Sequence, residues 1–230
     1  MTKKVIVISL GGSLIVPNKI DYEFLDEFKK ILIKNKKKYN FIVVCGGGST
    51  ARTYIKGLEN GKSKNKEYFQ SLLGISTTRL NARFMTYFFG KDANQGIPHD
   101  MGQVKNLLRF NNPIFCGALR YAKDQTSDST SAKLANYFKC DFINLTNIKG
   151  LFDKNPKKFR SAKFIPEISH KKFLKMAKKI KFKPGQHFVL DQTAAKIIKK
   201  YSITTYILGD SKNLNKVLNN QHYIGTQISS

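Results

Sequence analysis

Continuous apolar runs alternate with amphipathic stretches along this chain. Residues 5–10 (VIVISL), 41–45 (FIVVC), 113–116, 141–146 and 204–208 are dominated by large apolar or β-branched side chains. Runs of this kind predict strands buried on both faces. Between them the period changes. Phe24, Leu25, Phe28, Ile31 and Leu32 fall on one helical face with lysines opposite, behind a capping Asp21. Helical spacing returns over residues 67–89 and 128–138, after Ser169, after Asp191 and, briefly, after Asp210, with a short helix ending at 106–110. Residues 57–65, 90–100 and 147–166 read as loops, Lys183-Pro184-Gly185 as a turn, and Gly225 as the start of a short last strand. Strand–helix alternation with apolar strands predicts an α/β fold: a three-layer α/β/α sandwich around a central, mainly parallel sheet, in one domain over residues 1–230.

Two strand ends stand out. Residues 41–45 break into Gly46-Gly47-Gly48, then Ser49 and Thr50, both good helix caps, lead into a helical stretch containing Arg52. Residues 5–10 break in the same way into Gly11-Gly12-Ser13. Glycines remove side chains where the backbone turns, so N–H groups can approach a ligand. A following helix start adds unpaired donors and a positive dipole end. The expected ligand is an anion, most plausibly phosphate. Ligands of parallel sheets bind beyond the carboxyl ends of the strands, where residues 11–13, 46–52, 117–128 and 146–155 should converge.

Charge changes this picture less than its size suggests. Lys and Arg total 41 against 15 Asp and Glu, a net charge of +26 on 230 residues. The lysines are spread along the whole chain, with no basic arm, so a solvated surface is the favoured reading and a nucleic-acid partner is not expected. A positive field would also draw in nucleotides. The three cysteines, Cys45, Cys116 and Cys140, have no metal or redox spacing and suit a reducing compartment. The four histidines lie in different segments; no metal ligands are assigned. No run reaches membrane-spanning length, so a cytoplasmic location is expected. There is no Walker sequence and no nucleophile elbow.

The segments ISLGGS (8–13), VCGGGSTARTYI (44–55), LGISTTRLNA (73–82), TSD (126–128), INLTNIKGLFDKNPK (143–157), LDQTAAKII (190–198) and IGT (224–226) occur in an order that resembles the amino acid kinase family, in particular its archaeal-type uridylate kinase branch. The resemblance spans nearly the whole chain. It implies transfer of the ATP γ-phosphoryl group to UMP, with Mg2+, by a homo-oligomer, commonly a hexamer. It implies an acceptor side mainly in residues 1–140 and an ATP side mainly in 141–230. On the ATP side, Gly11, Gly12, Ser13, Gly48, Arg52, Thr146, Asn147, Phe152 and Asn155 match family positions. On the UMP side, Gly47, Ser71, Thr126 and Ser127 match. Arg52 is the candidate forked cation for transferred phosphate. Asp128 is the candidate to orient the transfer site, or alternatively the cap of its helix.

The chain departs from the family pattern at several positions, and its ATP side looks better kept than its acceptor side. Ser9 stands where many family members have a catalytic lysine, a loss that archaeal-type members often share. Ser71 stands where a ribose-binding carboxylate is expected, Phe152 where Tyr is common, and Asn155 where Asp is common. The loop of residues 119–125 lacks the usual Pro-Gly; Arg120 and Lys123 could supply charge instead. These differences keep two alternatives open: a related kinase with another small acceptor, and a catalytically impaired nucleotide-sensing homologue.

Overall fold

A computed structural model of the chain describes residues 3–59, 64–121, 126–156, 158–179 and 189–230. The turn expected at 183–185, and Lys123, lie outside them. The apolar runs become β1 (Lys4–Leu10), β2 (Tyr39–Cys45), β3 (Ile114–Cys116) and β4 (Asp141–Leu145). Between these lie α1 (Gly12–Ile15), α2 (Tyr22–Asn35), α3 (Gly48–Gly57), α4 (Lys66–Phe89), α5 (Met101–Leu107) and α6 (Ser127–Phe138). Then follow β5 (Leu151–Phe152), β6 (Phe164–Ile165), β7 (Glu167–Ser169), α7 (His170–Lys178), α8 (Gln192–Lys200), β8 (Thr205–Leu208), α9 (Ser211–Leu218) and β9 (Gly225–Ser229).

The main sheet has seven strands in the order β3-β2-β1-β4-β8-β9-β7. From β3 to β8 every pairing is parallel, with Ile8 opposite both Val43 and Ile143 at the centre. β9 runs antiparallel to β8, and β7 pairs parallel with β9. Alternate residues of β1 enter different cores. Ile6, Ile8 and Leu10 pack with Leu25, Phe28 and Leu32 of α2 and Met85 and Phe89 of α4. Val7 packs on the opposite face with Ala132 and Ala135 of α6, Phe173 of α7 and Ile198 of α8. Helices therefore cover both faces, as the unbroken apolar strands require.

Helix starts follow their caps. Asp21 accepts from Phe24 N at 3.1 Å, Asp191 from Ala194 N at 2.7 Å, Asp210 from Asn213 N at 2.7 Å, and Ser169 from Lys172 N at 3.4 Å. Three expectations need correction. Ser49 and Thr50 are not caps: α3 begins at Gly48 after Gly47, and the Ser49 hydroxyl instead donates to Val16 O at 3.0 Å. Asp128 is not the cap of α6; the Thr126 hydroxyl accepts from Asp128 N at 3.1 Å. The loop expected over 147–166 contains the small hairpin β5–β6, with Phe152 and Phe164 rings 5.6 Å apart. Two-residue strands carry no readable period.

Candidate active site

The parallel strands β1, β2, β3 and β4 end at one edge of the sheet, and the polar loops gather there. At its centre the two glycine turns lie backbone against backbone. A Cβ on Gly12 would sit 2.0 Å from Gly48 N and 2.7 Å from Gly46 C. A Cβ on Gly48, whose φ is +66°, would meet Gly12 O at 2.5 Å. Glycine is required at both: nothing with a side chain permits this approach, and Gly48 adopts a left-handed backbone. Hydrogen bonds fix the pair to the strand ends. Gly46 N donates to Leu10 O at 2.9 Å, Gly11 N to Leu145 O at 2.8 Å, and Ser49 N to Val16 O at 3.1 Å. The buried Asn81 of α4 donates to Gly46 O at 2.7 Å.

Around this layer the structure brings several of the expected residues together. Thr146 follows β4, its Cα 3.5 Å from a Cβ built on Gly11. Ser13 lies in α1 and Arg52 in the first turns of α3, half-buried. Gly47 backs onto Ala51 and Thr77. Asn147 is exposed just past β4. Phe152 lies on β5 and Asn155 in the segment after it. Lys149 lies 5.6 Å over the Phe152 ring and 5.1 Å over Phe164.

Asp128 enters the site from α6. Ser9, buried in β1 two residues before the first glycine, donates its hydroxyl to Asp128 Oδ1 at 2.7 Å. Burial pushes the Asp128 carboxyl up to about 7, helped by the nearby Asp191 carboxylate and opposed by the Ser9 hydrogen bond. This carboxyl can therefore exist in either protonation state near neutral pH.

Asp191 is the residue the sequence reading undervalued. Besides capping α8, it accepts from Thr126 Oγ1 and Ser129 Oγ, both at 2.6 Å, from Ser129 N at 3.1 Å and from Thr126 N at 3.3 Å. One carboxylate thus ties the N-termini of α6 and α8 together. The signal was its place in the LDQTAAKII segment, where local pattern explains only a cap.

Thr126 and Ser71 border one small cleft, with Ile75, Ala118, Arg120, Tyr121 and Thr130. Ser71 already donates to Glu67 O at 2.8 Å within its helix. Ser127 opens α6 and its carbonyl accepts from Ser131 Oγ at 2.9 Å. Helix α4 holds the cleft wall: Arg79 Nη2 donates to Leu119 O at 2.6 Å, and Ala118 N donates to Thr78 Oγ1 at 2.9 Å.

Among the described residues no group of three or more His, Cys, Asp or Glu could hold a metal ion. Magnesium is commonly held by one or two carboxylates plus substrate phosphates and water. Asp128, beside the glycine turns, fits the role of such a single carboxylate.

Comparison with known proteins agrees with this geometry. The pattern of the amino acid kinase family matches residues 4–209. The uridylate kinase of Methanobrevibacter smithii is 32% identical over 231 residues, covering 98% of this chain and 99% of that protein. The uridylate kinase of Archaeoglobus fulgidus is 34% identical over 227 residues, covering 97% and 99%. The crystal structure of uridylate kinase from A. fulgidus aligns with a TM-score of 0.83 at 31% identity over 97% of this chain and 99% of that one. The UMP kinase of Ureaplasma parvum, 20% identical with a TM-score of 0.78, shares the fold. With a family pattern spanning both halves and two glycine turns interlocked at the strand ends, this chain belongs to the amino acid kinase family.

Proposed function

We propose that the protein is an ATP-dependent kinase that phosphorylates UMP. A phosphate oxygen of UMP attacks the γ-phosphorus of ATP. The bond from that phosphorus to the ADP oxygen breaks, giving UDP and ADP. The observation that carries the reading is the packing of Gly12 against Gly48, which sets the two glycine turns side by side at one sheet edge. Phosphoryl transfer needs little covalent work from a protein; it needs alignment and neutralisation of phosphate oxygens. The turn N–H groups other than those of Gly11, Gly46 and Ser49, which bond the strand ends and Val16, supply fixed dipoles together with the α3 N-terminus. Arg52 supplies a forked cation. Asp128, held by Ser9, fixes the end of α6 beside the turns. Bound Mg2+ would neutralise phosphate charge, with Asp128 as its protein carboxylate.

In this reading Gly11, Gly12, Ser13, Gly48, Thr146, Asn147, Phe152 and Asn155 serve ATP, mainly from the second half of the chain and the glycine turns. Gly47, Ser71, Thr126 and Ser127 serve the acceptor. A homo-oligomer, a hexamer by family resemblance, is supported by exposed Leu80 and Tyr87 on α4. Among the described residues no helix is long and apolar enough to cross a membrane, and a cytoplasmic location fits the free cysteines.

An ADP-release assay with UMP, CMP, AMP and dUMP tests the proposal. UMP should turn over fastest; no turnover with UMP under any divalent metal overturns it. The second reading, a different small acceptor, is favoured by one observation: no carboxylate lines the Ser71 cleft among the described residues. Faster turnover on a non-nucleotide acceptor would establish it.

A further inference from the structure

Helices α6, α7 and α8 cover one face of the sheet. The N-termini of α6 and α8 meet at Asp191, so these two helices run in the same direction. Their C-termini meet at the far edge, where Lys139 and Lys200 lie 5.5 and 5.1 Å over the ring of Tyr201. Helix α7 runs the opposite way. His170, its first residue, bonds through Nε2 to Ile203 O at 3.0 Å, which brings Lys171 and Lys172 to the same edge. Lysines 139, 171, 172, 199 and 200 are all exposed there, around a Tyr201 that is 45% exposed.

The face is single-signed. Helix α7 contains no acidic residue, and neither does α8 after its cap; four more exposed lysines continue along them. Among the described residues two carboxylates border the area: Asp141, bound to Lys4 at 2.7 Å, and Glu167 on β7. The opposite layer is mixed, with Lys30 on Asp26 at 2.6 Å and Lys36 on Asp92 at 2.8 Å. Lysines that are dispersed in sequence are thus collected by the fold onto one face.

We infer that this edge of the α6–α7–α8 layer binds single-stranded nucleic acid, the lysines following the phosphates and Tyr201 stacking on a base. An exposed aromatic ring among cations is the chemistry of single-strand binding. A membrane surface fits less well. An interfacial helix needs an apolar face free to enter lipid, whereas Phe173, Ala177, Ala195 and Ile198 are buried against the sheet. The surface lies a helix length, ~18 Å for the residues of α6, from the glycine turns, so both can be occupied.

Fluorescence anisotropy of the full chain with labelled 20-mer oligo-U and oligo-dT, from 50 to 300 mM NaCl, tests this. Binding should weaken with a log–log salt slope of about −2 to −4, from three to six phosphates neutralised. K171E/K172E/K199E/K200E should lose more than about 30-fold and flatten the slope by about 2. Y201A should lose about 5- to 10-fold with the slope unchanged. K19E/K30E/K34E/K91E, with the same charge change on the other layer, should lose less than about 3-fold. Phosphoryl transfer, retained in every variant, reports intact folding. Equal losses in the two quadruple variants, no oligonucleotide binding, or binding only to phosphatidylserine vesicles would each overturn the inference.

Discussion

Replacement of Asp128 by Asn should change how stability depends on pH. In an unfolded chain an aspartate titrates near ~3.9; in the fold, burial and Asp191 hold Asp128 at about 7. The fold therefore favours the neutral acid. Stability from this group is fully present below the unfolded value and is lost as pH rises towards 7. The slope is about 1.4 kcal/mol per pH unit, and three units would give ~4 kcal/mol. The residue is partly exposed, and solvent reduces the loss to about 2–4 kcal/mol. Asn cannot titrate, and its carbonyl can still accept from Ser9. Urea unfolding of both proteins at pH 5 and pH 8 isolates the effect, because titrating groups that do not interact with Asp128 cancel in the difference. D128N should gain on the wild type by about 2 kcal/mol or more between the two pH values. Parallel pH profiles would refute the raised Asp128 carboxyl. Activity should fall in D128N at every pH, since the residue could no longer carry charge beside the phosphates.

Other substitutions test the rest of the site. Gly12→Ala puts a methyl 2.0 Å from Gly48 N; urea unfolding should show a loss of about 3 kcal/mol, with KM for ATP raised. Asp191→Ala removes the acceptor of five hydrogen bonds and strands the fully buried Ser129. Stability should fall by about 3–5 kcal/mol, and KM for the acceptor should rise more than KM for ATP. Arg52→Gln should lower kcat by about 100-fold or more while the unfolding midpoint stays unchanged, because the half-buried guanidinium holds no structural partner among the described residues.

The glycine turns were legible as phosphate-binding candidates because the signal is local: apolar strand, glycines, helix. That they touch was not legible. Gly12 and Gly48 meet only because β1 and β2 are neighbours in register, with Leu10 opposite Cys45. Thr126 matched a binding position, yet its hydroxyl is committed to Asp191 at 2.6 Å. Ser9 read as a missing lysine, whereas in the fold it holds Asp128, 119 positions away.

The chain's own pattern determined the strand positions, most helix starts and the layered class of the fold. These depend on side-chain period and on a cap reaching an N–H three residues later, so short windows contain the information. Tertiary structure alone decided the interlock of the two glycine turns, the double role of Asp191, and the gathering of lysines around Tyr201. Each depends on which strands become neighbours and which way each helix returns. Strand order and helix direction are set by the packing of the whole core, and no local period encodes them.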